Sequence, residues 1–153
     1  MSWSGVKQQS IKADIEAWCE EMNMRNYTIN SQGEIDVRGN VMLQNNLFSE
    51  LPYKFGKVMG IFVLDNCENL ISLKNCPHSA FGFSCSRCSQ LDSLEGCPKE
   101  VGGDFWCDDC KRKFTKEEVK SLCKVKGVIT YTLRPLPKIN FNLSNFNSNI
   151  ILM

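Results

Sequence analysis

Apolar positions recur along the middle of the chain in short strings with one internal spacing. Ile61-Phe62-Val63 runs on into Leu64-Asp65-Asn66, Phe83-Ser84-Cys85 into Ser86-Arg87-Cys88, and Phe105-Trp106-Cys107 into Asp108-Asp109-Cys110. Each reads apolar-x-apolar-x-x-[Asn/Cys], and Val63, Cys85 and Cys107 stand 22 residues apart. A weaker copy, Val41-Met42-Leu43 with Gln44-Asn45-Asn46, precedes them and leads to Leu51-Pro52. The intervals rhyme as well: Leu70, Leu73, Cys76 and Pro77 are answered by Leu91, Leu94, Cys97 and Pro98. Alternation predicts a strand in each string, and a fixed period of this length predicts a solenoid.

The L-x-L-x-x-[N/C] core is a leucine-rich-repeat signature. The expected fold class is therefore α/β: a short, right-handed leucine-rich-repeat-like solenoid with parallel strands. Its repeats span 41–110, between an N-terminal helix/strand cap (11–40) and a C-terminal helix/strand cap (111–134). Such caps are expected because the terminal repeats would otherwise expose apolar edges and unpaired backbone. In the first cap, Ile11, Ile15, Trp18, Cys19 and Met22 form one stripe of a helix that starts at Ser10 as N-cap and ends near 23–26. Short strands follow at Tyr27–Ile29, Ile35–Val37 and Val41–Leu43. In the second cap, Thr115 and Glu118 form a capping box and Phe114 and Val119 a hydrophobic staple, so a helix runs from Thr115 to about Lys124. Gly127 ends it, and 128–133 read as a strand. Residues 1–10 read as a flexible arm, 11–134 as one domain, and 135–153 as an Asn-rich tail, flexible or docking on this chain or another copy.

Composition narrows the function classes. The 153 residues carry 18 basic and 17 acidic side chains, a net charge of +1, so nucleic acid gains no support. No positively charged start leads into a long apolar run, so no secretory signal is expected, and no stretch approaches membrane-spanning length. Nine cysteines, most at repeat-equivalent positions, suit small buried side chains in a reducing cytosol better than a disulfide framework.

Several pieces of the chain resemble short leucine-rich-repeat-like proteins of large tailed bacteriophages. They are Asn26–Asn30, Leu51–Val58, Leu91–Gly103 and Phe114–Val119, the most specific part being the Leu94-Glu95-Gly96-Cys97-Pro98-Lys99-Glu100-Val101-Gly102-Gly103 string. The resemblance covers roughly residues 11–130 and implies a repeat fold, a phage source and no particular reaction. The tail after Leu133 lies outside it.

Cys85-x-x-Cys88 and Cys107-x-x-Cys110 have zinc-ribbon spacing, with four thiolates available for a tetrahedral site. The same register, however, carries Val63 and Asn66, and Leu43 and Asn46 before them. Ligands would not grade into Val, Leu and Asn, whereas core and turn positions would. The expectation is no metal and no cofactor, with zinc on Cys85, Cys88, Cys107 and Cys110 as the alternative. His78 is the only histidine and follows Cys76-Pro77 in a turn, so no nucleophilic constellation assembles around it. No phosphate loop is present. Lys111-Arg112-Lys113 reads as a solvated turn. No enzyme activity is expected.

With the first and third residues of each string facing the core, the residues between them face outward: Met42, Phe62, Ser84 and Trp106, then Gln44, Leu64, Ser86 and Asp108. Large apolar side chains on an open face mark an interaction site. Met42, Phe62, Leu64, Trp106 and Asp108 are the expected partner-binding residues. The function expected is non-catalytic protein binding by a phage early protein that inhibits a host protein, an enzyme or defence factor, in the cytoplasm of the infected bacterium. Homo-oligomerisation through the tail is a further expectation. The rival is a zinc-dependent structural or nucleic-acid-binding module.

Overall fold

The computed structural model describes residues 5–130. The expectations for the first residues of the arm, for the end of the last strand and for the tail therefore lie outside the described residues. The chain opens with α1 (Gly5–Glu21), then β1 (Tyr27–Ile29), β2 (Ile35–Val37), β3 (Val41–Met42), β4 (Phe55–Val58), β5 (Ile61–Val63), β6 (Ser79–Ala80) and β7 (Gly82–Ser84). It continues through β8 (Glu100–Val101), β9 (Phe105–Trp106), α2 (Lys116–Leu122), β10 (Lys124–Val125) and β11 (Ile129–Thr130). The strands form two sheets, ordered β1-β2-β4-β6-β8-β10 and β11-β9-β7-β5-β3. Every pairing is parallel except β1 with β2. This is a parallel-strand β-solenoid of about 5 turns with 2 helices.

Its core is a set of columns. Val41, Phe62, Phe83, Phe105 and Ile129 pair in register through the second sheet, all buried. Phe55 meets Phe62 edge-on at 4.9 Å, Phe62 stacks on Phe83 at 6.1 Å, and Phe83 meets Phe105 at 5.1 Å. Leu43, Leu64, Cys85 and Cys107 form a second buried column two residues on, and Leu70, Leu73 and Cys76 lie buried like Leu91, Leu94 and Cys97. Strands of two to four residues hold too few hydrogen bonds to stand alone, so the burial of these columns supplies most of the stability.

The register corrects the sequence reading. Phe62 pairs with Phe83 and Val63 with Ser84, 21 residues apart, whereas Phe83 pairs with Phe105 and Ser84 with Trp106, 22 apart. The constant interval of 22 therefore holds only for the last of the three strings. The cause is a corner: Ala80 to Phe83 is one residue shorter than Val58 to Phe62 or Val101 to Phe105.

Turn chemistry repeats with the strands. Asn45, Asn66, Arg87 and Asp109 all hold φ between 56° and 64°, the left-handed region that asparagine tolerates best. Asn66 Nδ2 donates to Asn45 Oδ1 at 2.7 Å, joining two of these corners. At the corner before β5, the Asn40 Oδ1 accepts from Ile61 N at 2.8 Å, and a Cβ on Gly60 would sit 2.2 Å from that oxygen. Only glycine leaves room for this bond.

At the N-terminal end, α1 begins at Gly5, so 5–10 are helical rather than a loose arm and Ser10 lies inside the helix, not at its cap. Lys and Gln favour helix over the extra turn, and this outweighs the capping preference of one serine. The stop falls near the expected place. Asn23 turns left-handed at φ 59°, Met24 N–H bonds Cys19 O and Asn23 N–H bonds Glu20 O, a Schellman closure. Ile15 and Cys19 are buried, and Trp18 lies against Tyr53 and Phe55.

At the other end α2 carries the capping box: Glu118 N–H donates to Thr115 Oγ1 at 3.1 Å and Thr115 N–H to Glu118 Oε1 at 3.0 Å. The helix stops at Leu122, short of the expected Lys124, because Cys123 is already extended and Lys124 pairs with Glu100 in β8. Arg112 lies over the buried Phe114 ring at 4.6 Å and clasps the Glu118 carboxylate at 3.0 and 2.6 Å. That guanidinium, then the Thr115 N–H, hold Glu118 down from 4.5 to about 2.

Two stability measurements follow from this architecture. Leu94→Ala should cost about 2–5 kcal/mol in chemical denaturation, because it opens a cavity in a buried column; an unchanged midpoint would remove Leu94 from the core. Glu118 is bound as a carboxylate more tightly in the folded state than in the unfolded one. Its contribution is complete above about pH 4.5 and fades as the pH falls toward 2. The Tm gap between the wild type and Glu118→Gln should shrink across that window, and a gap that stays constant down to pH 2 would refute the assignment.

Candidate functional site

The outward row of the second sheet follows from the observed register. Met42, Val63, Ser84 and Trp106 pair side by side between the inward columns, followed along the chain by Gln44, Asp65, Ser86 and Asp108. Met42, 53% exposed, lies on this face with the half-buried Trp106 and Asp108, as expected. Phe62 and Leu64 do not: both are 0% exposed and belong to the core. A shift of one residue sends every side chain of a strand to the opposite face. Val63 and Asp65 take the places assigned to them.

Between β5 and β9 the face sinks into a shallow groove of about 390 Å³. Ile61, Val63 and the Trp106 ring line its apolar part, Ser84 and Ser86 its floor, and Asp65, Asp108, Asp109 and Arg87 its rim. The indole has a prepared seat. A Cβ on Gly82 would come within 3.2 Å of Ile61 Cγ1, so the bare backbone of β7 makes room for Ile61, and the Trp106 ring packs beside the same spot, its Cζ3 3.6 Å from that Cβ position. The indole N–H has no hydrogen-bond partner among the described residues.

The polar part is wired to the backbone. Asp65 Oδ1 accepts from the Ser84 hydroxyl and from Ser86 N–H at 2.9 Å, and Ser86 Oγ accepts from Asp108 N–H at 3.1 Å. Burial pushes the Asp65 carboxyl up; the bonds from Ser84 and Ser86 and the nearby Arg87 oppose this, and Asp108 adds to it. Asp65 is thus a partly buried acid held on the groove by two serines.

The cysteines occupy inward positions. Cys67, Cys88 and Cys110 form one column, each aiming its thiol at a carbonyl of the preceding turn: Leu43 O at 3.3 Å, Leu64 O at 3.2 Å and Cys85 O at 3.1 Å. Asn46 begins this column, its Nδ2 donating to Leu43 O at 2.9 Å, while Asn66 belongs to the neighbouring left-handed corner. Cys85 and Cys107 lie in the Leu43–Leu64 column, and Cys107 points to Thr130 O at 3.6 Å. Burial raises Cys88 and Cys107 to about 12, and contact with the Cys85 thiol lowers Cys110. Contact with the Cys110 thiol and burial hold Cys85 well above the ordinary thiol range. Among the described residues no group of three or more His, Cys, Asp or Glu is placed to hold a metal ion, and all nine cysteines are free and buried.

His78 is exposed, its Nε2 3.3 Å from the Glu34 carboxylate. In the basic cluster, Lys111 reaches Asp92 at 3.9 Å and Arg112 serves the α2 cap. No described helix is long and apolar enough to cross a membrane. The sequence reading passed over Val63, Asp65 and Gly82. A signal for them existed in the 21-residue rhyme of Leu70–Pro77 with Leu91–Pro98, which carried back to β5 places Phe62 opposite Phe83.

No protein-family model, no curated protein and no solved structure matches this chain.

The two faces of β5 give a direct test of register. Phe62→Ser should cost about 3–5 kcal/mol, with loss of a buried aromatic and a hydroxyl left in the core. The neighbouring Val63→Ser should cost no more than about 1 kcal/mol. Thermal melts of the two variants decide, and equal losses would contradict the pairing of Val63 with Ser84.

Proposed function

We propose that this chain is a non-catalytic protein-binding module that uses the outward face of its second sheet. The observation that carries the reading is the row Met42, Val63 and Trp106, apolar side chains set on a sheet face that also bears Asp65 and Asp108. Apolar groups rimmed by polar ones are the usual make-up of an interaction patch. The solenoid is read as leucine-rich-repeat-like on its Leu and Phe columns and its Asn corners. α1 with β1 and β2 closes one end of it, and α2 with β10 and β11 the other.

The resemblance of the Leu94–Gly103 string extends the reading to source and role. The chain is a phage early protein that binds and inhibits a host enzyme or defence factor in the cytoplasm of the infected bacterium. The zinc alternative rests on the paired Cys-x-x-Cys spacing of Cys85, Cys88, Cys107 and Cys110, with the Cys85 and Cys110 thiols in contact. Metal analysis of protein purified without chelator separates the two readings: stoichiometric zinc, released by Cys107→Ser, would favour the zinc module.

Capture from host lysate with the tagged chain, followed by mass spectrometry, identifies the partner. Met42→Ser and Trp106→Ser should each weaken its binding by at least about 2 kcal/mol, as truncations at the centre of an interface do. The circular dichroism spectrum should not change, because neither side chain lies in the core columns. Undiminished capture by the double variant would place the interface elsewhere.

A further inference from the structure

We propose that the groove beside Trp106 accepts an arginine side chain from an extended segment of the partner, the guanidinium lying on the indole with its N–H groups turned to Asp65 and Asp108. The inference rests on the binding-face reading above and specifies its occupant.

Three features of the groove converge on a planar cation. First, the aromatic surface is built in advance: Trp106 is seated over Gly82 and beside Ile61, so little side-chain freedom is lost when a ligand stacks on it. Tryptophan is the best ring for a cation, and arginine the cation that stacks most readily. Second, the rim is anionic, with Asp65, Asp108 and Asp109 against the single guanidinium of Arg87. Third, the carboxylates have spare capacity. Asp65 uses Oδ1 for Ser84 and Ser86, while the Asp108 carboxylate receives no hydrogen bond from a described residue. A fork of N–H donors fits two acceptors on one side of a ring better than a point charge does. The burial that raises Asp65 also means that a cation arriving there meets a less hydrated carboxylate, and such a contact is stronger than one in open water.

The other occupants of such a groove differ in what they would need. An apolar side chain would fill the Ile61–Val63–Trp106 part and leave the rim unused. An acidic segment would meet three carboxylates. A neutral isostere of arginine separates the first case from the proposal, because citrulline keeps the shape and loses the charge.

The test uses the full chain labelled with nitrogen-15 and reads the Trp106 indole N–H signal, assigned by its disappearance in Trp106→Phe. The probes are acetyl-Gly-Arg-Gly-amide and the same peptide with citrulline. The arginine peptide should shift the signal saturably and bind at least about fivefold tighter than the citrulline peptide, and added salt should reduce the difference. Asp108→Asn, whose side chain holds no part of the fold, should lower the arginine affinity by about threefold or more and leave the citrulline affinity unchanged. Equal binding of the two peptides would overturn the cationic occupant, and so would absence of a shift with either. Partner capture tells this failure from that of the underlying reading. Capture lost in Met42→Ser/Trp106→Ser without arginine preference keeps the face and removes the cation. Arginine preference with capture intact keeps the site and removes it from the partner interface.

Discussion

The structure depends on one constraint: no turn of the solenoid buries its own apolar side chains, so each must place them against the same positions of the next turn. Two- and three-residue strands supply few hydrogen bonds and no independent core. What holds them is the continuity of the Phe55, Phe62, Phe83 and Phe105 contacts and of the Leu43, Leu64, Cys85 and Cys107 column. The left-handed corners at Asn45, Asn66, Arg87 and Asp109 return the chain to the same height in each turn. Arg87 adopts a conformation less natural to it than to asparagine, and its N–H bond to Asp108 O at 2.7 Å ties that corner to the next turn.

Much of this was legible because it is local. Alternation marked the strings, the Thr115–Glu118 box marked the start of α2, and Asn23 lay where α1 had to stop. Register was not legible, for a physical reason. Ile61, Phe62, Val63 and Leu64 are apolar at four consecutive positions, so hydropathy permits either alternate pair to face inward. The neighbouring Phe83-Ser84-Cys85-Ser86 string alternates and settles its own orientation, but it settles that of β5 only if the corner lengths are known. The short corner at Ala80–Phe83 is where counting failed, and with it the placement of Phe62 and Leu64 on the candidate site. Met42 and Trp106 also lie in wholly apolar triplets, Val41–Leu43 and Phe105–Cys107, but the polar Gln44 and Asp108 that follow mark the outward parity of those strings.

The cysteines show how a repeat can imitate a ligand motif. The turn position after each string needs a small side chain with a donor, because a carbonyl of the turn before lies within reach. Asn46 meets a comparable need with an amide, and Cys67, Cys88 and Cys110 meet it with thiols 3.1–3.3 Å from Leu43 O, Leu64 O and Cys85 O. A buried thiol costs little to desolvate and makes a weak donor, so it fits where a hydroxyl or charge would be costly. Two such positions in adjacent turns, each three residues after an inward cysteine, produce the paired Cys-x-x-Cys spacing.

The groove and the register anomaly share one origin. Shortening the corner after Ala80 draws Gly82 into β7, opposite Ile61, where the longer corners of the other turns place glycines outside the strand. A glycine inside a strand weakens it and leaves the backbone open to close approach. Here Ile61 makes the close approach, 3.2 Å from where a Cβ at 82 would stand, and the Trp106 ring lies beside it at contact distance, 3.6 Å from the same point. The loss to the sheet is therefore offset by an aromatic surface fixed in place beside Asp65, Ser84 and Asp108. A residue restored to that corner would bring the Phe62–Phe83 interval to the 22 residues of Phe83–Phe105. The irregular turn is thus the one that sets Gly82 beside Ile61 and Trp106 on the outward face.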